Sequence, residues 1–249
     1  MPPDSDEDDF PNFKLPPQPS NVCRVFNENS MQIYSKMTMS ILDSIKLEQN
    51  TRTQNSNNTW FVQRSTRLTS STFKSICCRR ADHDTLAARL KGTGSVKTKA
   101  MKRGIEQEPV AAAEYTKVTG NSTYPCGLVV NPHAPHLGTS PDRKVKEGEG
   151  ETTNYGLLEI KCPSKDSITL CSYLSKQADG SYKLKESHEY YYQVMGQLGI
   201  TGMSWCDFFV KCTEDYHLER IHFDAAKWEG MKNKLDMFYF DYFINHITL

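Results

Sequence analysis

The chain has 249 residues, 37% of them hydrophobic and 10% aromatic, which suffices for one globular domain with a sizeable core. Lysine plus arginine balance aspartate plus glutamate at 30 against 30, so net charge by itself points to no nucleic-acid or membrane partner. No apolar stretch approaches the roughly 20 residues of a membrane span and no secretory leader is visible. The eight cysteines include no CxxC pair, which suits reduced thiols in an intracellular (nuclear or cytoplasmic) protein rather than a disulfide framework or a zinc site.

Residues 1–20, acidic and proline-rich, read as a disordered tail, and 21–249 as a single domain with a helical part at 28–118 and a sheet with helices at 120–249. Met31, Tyr34, Met37, Ile41 and Ile45 recur at helical spacing and predict a single helix of about four to five turns. Residues 50–59 are polar and read as a loop. Trp60 opens a short segment ending at Leu68, after which Thr69 or Ser70 caps a helix running toward Cys78. Residues 61–103 hold eleven bases against only Asp82 and Asp84, a locally positive stretch that could attract phosphate, although on charge alone a solvated helix face is the better account.

Helical character returns at 84–90 and 98–118, with Pro109 either kinking the second segment or starting a new helix. Three strands follow at 124–130, 139–145 and 155–161, then a helix at 186–201 and strands at 205–212 and 218–223. Asp224 caps a last helix with Trp228, Met231, Leu235, Phe238 and Tyr242 on one face. This order gives a mixed α/β domain around one central sheet.

The chemistry concentrates in Gly138-Thr139-Ser140-Pro141-Asp142 and, one strand later, Leu157-Leu158-Glu159-Ile160-Lys161-Cys162-Pro163. On a strand, alternate side chains share a face, so Glu159 and Lys161 point together while Ile160 enters the core. Asp142 on the preceding strand is positioned to meet Glu159. Two adjacent carboxylates are costly unless a cation lies between them, and oxygen donors of this kind suit magnesium or manganese. Lys161 would then orient water and stabilise charge on a phosphate. An isolated ExK is a weak signal, since a surface salt bridge explains most of them, but the apolar neighbours Leu157, Leu158 and Ile160 indicate a buried strand. His133-Ala134-Pro135-His136 reads as a turn, and Cys162 lacks a histidine at nucleophile-like spacing.

Four ordered blocks make the chain resemble the YqaJ-type viral recombinase family, the group that includes the phage lambda exonuclease, within the PD-(D/E)XK nuclease superfamily. They are Trp60 through Ser71 with Arg64 and Arg67, then Gly104-Ile105-Glu106-Gln107-Glu108-Pro109-Val110-Ala111, then the aspartate and glutamate–lysine strands, and finally Tyr190-Tyr191-Tyr192-Gln193-Val194-Met195-Gly196-Gln197. The resemblance covers about 52–243. It implies a restriction-endonuclease-like α/β core, a central mixed sheet flanked by helices. It also implies a magnesium-dependent exonuclease, with manganese as a substitute, acting 5′ to 3′ from double-stranded DNA ends in recombination or repair. By the same resemblance, Asp142, Glu159, Glu108 and the Ile160 carbonyl hold metal, Lys161 is the catalytic lysine, and Gln193 lies beside the site. Arg64 handles a DNA-end phosphate, with Arg67 and Gln197 as further DNA-binding residues. A single-strand annealing or recombinase protein is an expected partner, and some relatives form rings, so a homo-oligomer is compatible. Arg143 stands where many relatives have glycine, and Met195 where they often carry a second glutamine. The rival readings are an endonuclease of the same superfamily and a DNA-binding relic that has lost turnover.

Overall fold

The computed structural model describes residues 10–22, 26–92 and 99–247. Its first helices are short because the chain supplies its own stops. Helix α1 (Glu28–Met37) begins at Asn27, whose side chain accepts the Ser30 N–H, and ends at Thr38, which is extended. Ser40 then opens α2 (Ile41–Asn50): its hydroxyl accepts the Asp43 N–H at 3.1 Å while the Asp43 carboxylate accepts the Ser40 N–H at 3.2 Å. This reciprocal capping box starts a new helix, so the single helix expected over 31–45 is two. Met31 and Ile41 are exposed, and Ile33 and Met37 carry the buried face of α1 instead.

The loop expected at 50–59 holds a 3₁₀ turn at Gln54–Ser56 and runs into α3 (Asn58–Ser65), capped by Asn57. A two-residue strand β1 (Leu68–Thr69), a 3₁₀ turn and the short α4 (Phe73–Cys77) follow, then α5 (His83–Gly92) and α6 (Lys99–Thr119). The hydroxyl of Thr69 makes no capping bond. Pro109 lies inside α6 and neither ends it nor begins a second helix.

The three strands expected between 124 and 161 resolve into five. β2 (Ser122–Pro125) and β3 (Val129–Val130) are separated at Gly127, where a Cβ would lie 1.9 Å from the Glu48 carbonyl of α2, so only glycine fits. β4 (Leu137–Thr139) and β5 (Arg143–Glu147) are separated around Pro141, and β6 (Asn154–Lys161) is continuous. An unexpected hairpin, β7 (Leu174–Lys176) and β8 (Tyr182–Leu184), precedes α7 (Glu189–Thr201). β9 (Trp205–Lys211), β10 (Tyr216–His222) and α8 (Ala225–Asp241), capped by Asp224, complete the chain.

The main sheet has the order β10-β9-β6-β5-β2, and a smaller one the order β1-β4-β3. In the main sheet β6 and β9 are parallel and the other pairs antiparallel. A parallel pair needs a crossover, and α7 lies within it, against one face of the sheet. On that side Leu157, Cys206, Phe208, Val194 and Leu198 belong to the larger core. On the other side Leu158, Ile160, Val145 and Phe209 pack with Ala111, Ala112 and Tyr115 of α6. The sheet is thus mixed and flanked by helices. Among the described residues no helix is long and apolar enough to cross a membrane.

α7 is pressed against α8 at Gly199, where a Cβ would lie 2.3 Å from the Trp228 ring. The Gly199→Ala variant is expected to lose about 1–3 kcal/mol of stability, the usual cost of overpacking a core. A urea midpoint equal to that of the unsubstituted protein would show that the two helices have slack.

The expected tail divides in two. Residues 1–9 lie outside the described residues, whereas 10–22 are laid against the body. Phe10 and Leu15 are buried, and Phe10 packs edge-on to Tyr155 at 5.2 Å. Gln18 donates to the Gly199 carbonyl at 2.7 Å and accepts from the Trp228 indole at 3.2 Å. The correction has a simple cause. Composition averaged over 1–20 is dominated by the acids at 4–9, and it hides the apolar Phe10, Phe13 and Leu15, which can pay for ordering an extended segment.

Candidate active site

Alternation along β6 sends Glu159 toward α7 with only 1% of its surface exposed. A buried carboxylate needs partners on both oxygens, and α7 supplies them from residues one turn apart. Gln193 donates its side-chain N–H to Oε1 at 2.7 Å and Gln197 to Oε2 at 2.5 Å. Lys161, two residues along the strand, donates to Oε1 as well and lies over the Tyr190 ring with its Nζ 4.6 Å from the centroid. Asp142 stands one step before the Arg143–Leu158 pair of the β5–β6 ladder, which sets it opposite Glu159. Its Oδ2 accepts the Ile160 N–H at 2.7 Å. The structure therefore gathers Asp142, Glu159, Lys161 and Gln193 at one end of β6.

The charges there are tightly interdependent. Burial, and then the negative charges of Glu159 and Glu108, hold the Asp142 carboxyl well above the ordinary aspartate range, although Lys161 and the Ile160 N–H pull the other way. Burial alone would lower the Lys161 pKa, but Glu159 and Asp142 outweigh it and raise the value above that of free lysine. Lys161 is thus an ammonium across the neutral range: a hydrogen-bond donor, unsuited to be a base. Burial together with Asp142 and Glu108 pushes the Cys162 thiol up to about 11, which leaves it a poor nucleophile.

Glu108 approaches from the other side of the sheet. Arg143 is in register with Leu158, whose side chain meets α6, and its guanidinium donates both to Glu108 Oε1 at 2.5 Å and to the Asp142 carbonyl at 2.5 Å. Glu108 is thereby held on the α6 side by Arg143. Among the described residues no three His, Cys, Asp or Glu side chains are grouped closely enough to enclose an ion by themselves. The Ile160 side chain is in the core beneath Leu158, and its N–H is committed to Asp142.

Arg64 lies flat on Trp60, with its guanidinium carbon 4.1 Å from the ring centroid. It reaches Ser140 Oγ at 3.4 Å and Thr69 Oγ1 at 3.3 Å, and Trp60 donates its indole N–H to the same Ser140 at 2.9 Å. Burial lowers the Arg64 pKa to about 10, so it keeps its charge at neutral pH. No acid pairs with it among the described residues. A cation held against an aromatic face without a counter-ion, and bonded to Ser140 two residues before Asp142, is suited to an anionic ligand.

Two of the expected DNA contacts need correction. Arg67 is buried: its Nε donates to the Pro135 carbonyl at 2.9 Å and its Nη1 to the Gln63 carbonyl at 2.7 Å and the Gln63 side chain at 2.8 Å. It fastens α3 to the loop before β4 and has no face left for DNA. Gln197 is fully buried and serves Glu159 rather than solvent. The pattern of the sequence missed Tyr190 over Lys161, Trp60 under Arg64 and the Arg143–Glu108 pair. The first two had local signals: Tyr190 and Gln193 are three apart on one helix, and Trp60 and Arg64 are four apart on another.

The model of the YqaJ-like viral recombinase domain matches residues 59–204. No curated protein matches the chain. Among solved structures, an alkaline exonuclease from Laribacter hongkongensis, LHK-Exo, is 31% identical with a TM-score of 0.56, over 72% of this chain and 89% of that one. The complex of LHK-Exo with dAMP matches at 31% identity and a TM-score of 0.57, over 72% of this chain and 89% of that one. A SOX–DNA complex, at 14% identity and a TM-score of 0.50 over 86% of this chain and 72% of that one, shares the fold. With a domain match that runs from α3 past α7, the ordered site on β6 and its mixed sheet between helices, the chain belongs to the YqaJ-like viral recombinase family, the lambda-exonuclease group of the PD-(D/E)XK fold.

Proposed function

We propose that this protein is a metal-dependent DNA exonuclease that hydrolyses phosphodiester bonds from double-stranded ends, 5′ to 3′, in recombination or repair. The observation that carries the reading is the end of β6: a buried glutamate held by two glutamines and an ammonium, opposite an aspartate of raised proton affinity. Its relatives supply the reaction class, since the family model spans this site and an exonuclease at 31% identity aligns with 72% of the chain.

The donor set fits a hard divalent cation. Asp142 resists ionisation first because it is buried and then because Glu159 and Glu108 are near, and a cation relieves that repulsion. Magnesium commonly takes one or two carboxylates and completes its shell with water and substrate phosphate, so a closed protein cage is unnecessary. Asp142, Glu159 and the Ile160 carbonyl would hold it, with Glu108 as the acid from α6. When bound, it would polarise the phosphodiester and acidify a water.

The chain's own groups do the rest. Gln193 and Gln197 fix the Glu159 carboxylate, and Lys161 presents a permanent donor to a phosphoryl oxygen as negative charge grows on it. Arg64, with Ser140 beside it, offers a site for a strand-terminal phosphate. That placement favours action at ends.

The test uses linear duplex labelled separately at its 5′ and 3′ ends, beside closed circular duplex, in Mg²⁺ and in EDTA. The expected result is early release of the 5′ label in Mg²⁺ only, with circles intact. Nicked circles would replace the reading with an endonuclease, and inert duplexes in every lane would leave a DNA-binding relic.

A further inference from the structure

We infer that Arg143 and the divalent cation compete for Glu108, so that this arginine sets how tightly the active site of the proposed nuclease binds its metal. The inference rests on the metal reading above. Arg143 is the residue after Asp142, and its guanidinium bridges the Asp142 carbonyl and the Glu108 carboxylate, each at 2.5 Å. The side chains are 18% and 26% exposed, so the pair is neither locked in the core nor freely solvated. Glu108 makes no other ion pair among the described residues.

Geometry explains why the competition is local. β5 points Arg143 to the α6 face, the side from which Glu108 comes, while Glu159 lies on the α7 face. Glu108 has therefore to turn from the arginine to join the carboxylates at the strand end. Two effects of Arg143 work in the same direction: it occupies the carboxylate, and it adds a positive charge beside the cation's position. Lys161 already neutralises part of Glu159. With Arg143 in place, the three acids near the site face two fixed cations, and little negative charge remains to attract a third.

The experiment is a calorimetric titration of the full chain with Mn²⁺, applied to the unsubstituted protein, Arg143→Ala, Glu108→Gln and the double variant, with Glu159→Ala as reference. Arg143→Ala is expected to bind Mn²⁺ at least about fivefold more tightly, the scale of a partly exposed ion pair plus the removal of a like charge. The gain is expected to fall in the Glu108→Gln background to the smaller part that removing a positive charge alone supplies, because the contested carboxylate is gone. Equal or weaker binding in Arg143→Ala, or a gain undiminished without Glu108, overturns the inference while leaving the nuclease reading intact. Absence of Mn²⁺ binding in the unsubstituted protein, or binding indifferent to Glu159→Ala, overturns both. Arg143→Gln, which keeps the first part of the aliphatic stem and removes the charge, gives the same comparison should the alanine variant fail to fold.

Discussion

Replacing Glu159 by glutamine is expected to lower turnover on linear DNA by about a thousandfold or more, equivalent to about 4 kcal/mol of lost transition-state stabilisation. Three donors converge on this carboxylate, from Gln193, Gln197 and Lys161. An amide would turn an NH₂ toward at least one of them and withdraw the charge that faces Lys161. It would also remove the ligand on the α7 face, so saturable Mn²⁺ binding should disappear in the same variant. The effect on stability is a difference between two terms: a buried ammonium loses its partner, which is destabilising, and Asp142 loses a repulsive neighbour, which is not. Single-turnover kinetics with far-ultraviolet circular dichroism separate chemistry from folding. Turnover within tenfold of the unsubstituted protein would remove Glu159 from the mechanism.

Lys161→Met is expected to have the next largest effect, a fall of about 100- to 1,000-fold in turnover, the range seen when one preorganised donor to a developing anion is removed. Methionine replaces the ammonium over the Tyr190 ring with a sulfur–aromatic contact, so the space at the strand end stays filled. Mn²⁺ affinity should be unchanged or improved, since a positive charge has gone. The two variants are thus distinguished by metal binding: lost in one, kept in the other. The pH profile adds a second criterion. Because Glu159 and Asp142 raise the Lys161 pKa, its proton, and the stability it contributes through those partners, persists below the ordinary lysine value and is lost only as pH rises past the raised one. No decline attributable to this lysine should occur on the moderately alkaline side. A turnover unaffected by Lys161→Met would overturn its role.

The parts of the site that follow from local periodicity were legible in the sequence. A strand repeats every two residues, so Glu159 and Lys161 had to share a face once β6 was recognised, and Gln193 and Gln197 fall one helical turn apart. Ser40 with Asp43 is a readable capping signal, and Asp179-Gly180 marks the turn of the β7–β8 hairpin, but continuous apolar spacing over 31–45 masks the first and three-residue strands carry too little pattern to reveal the second. Arg64 and Arg67 show where local reading stops. They are three residues apart at the end of α3, and which of them is consumed internally depends on the carbonyls of Gln63 and Pro135, the latter distant in sequence. In the same way, the bond between Arg143 and Glu108 joins residues 35 apart across a helix and a strand, and no pattern within either element announces it.

The docked arm has a consequence for how the protein is made. Gln18 bonds to groups 181 and 210 residues further along the chain. On a ribosome the arm is made before its seat on Gly199 and Trp228, which exists only after the intervening 181 to 210 residues have followed. Closure of the arm is therefore expected late in folding, since contacts so remote in sequence are slow to form. Until then the Gly199 carbonyl and the Trp228 indole lack the Gln18 partner that they have in the folded protein.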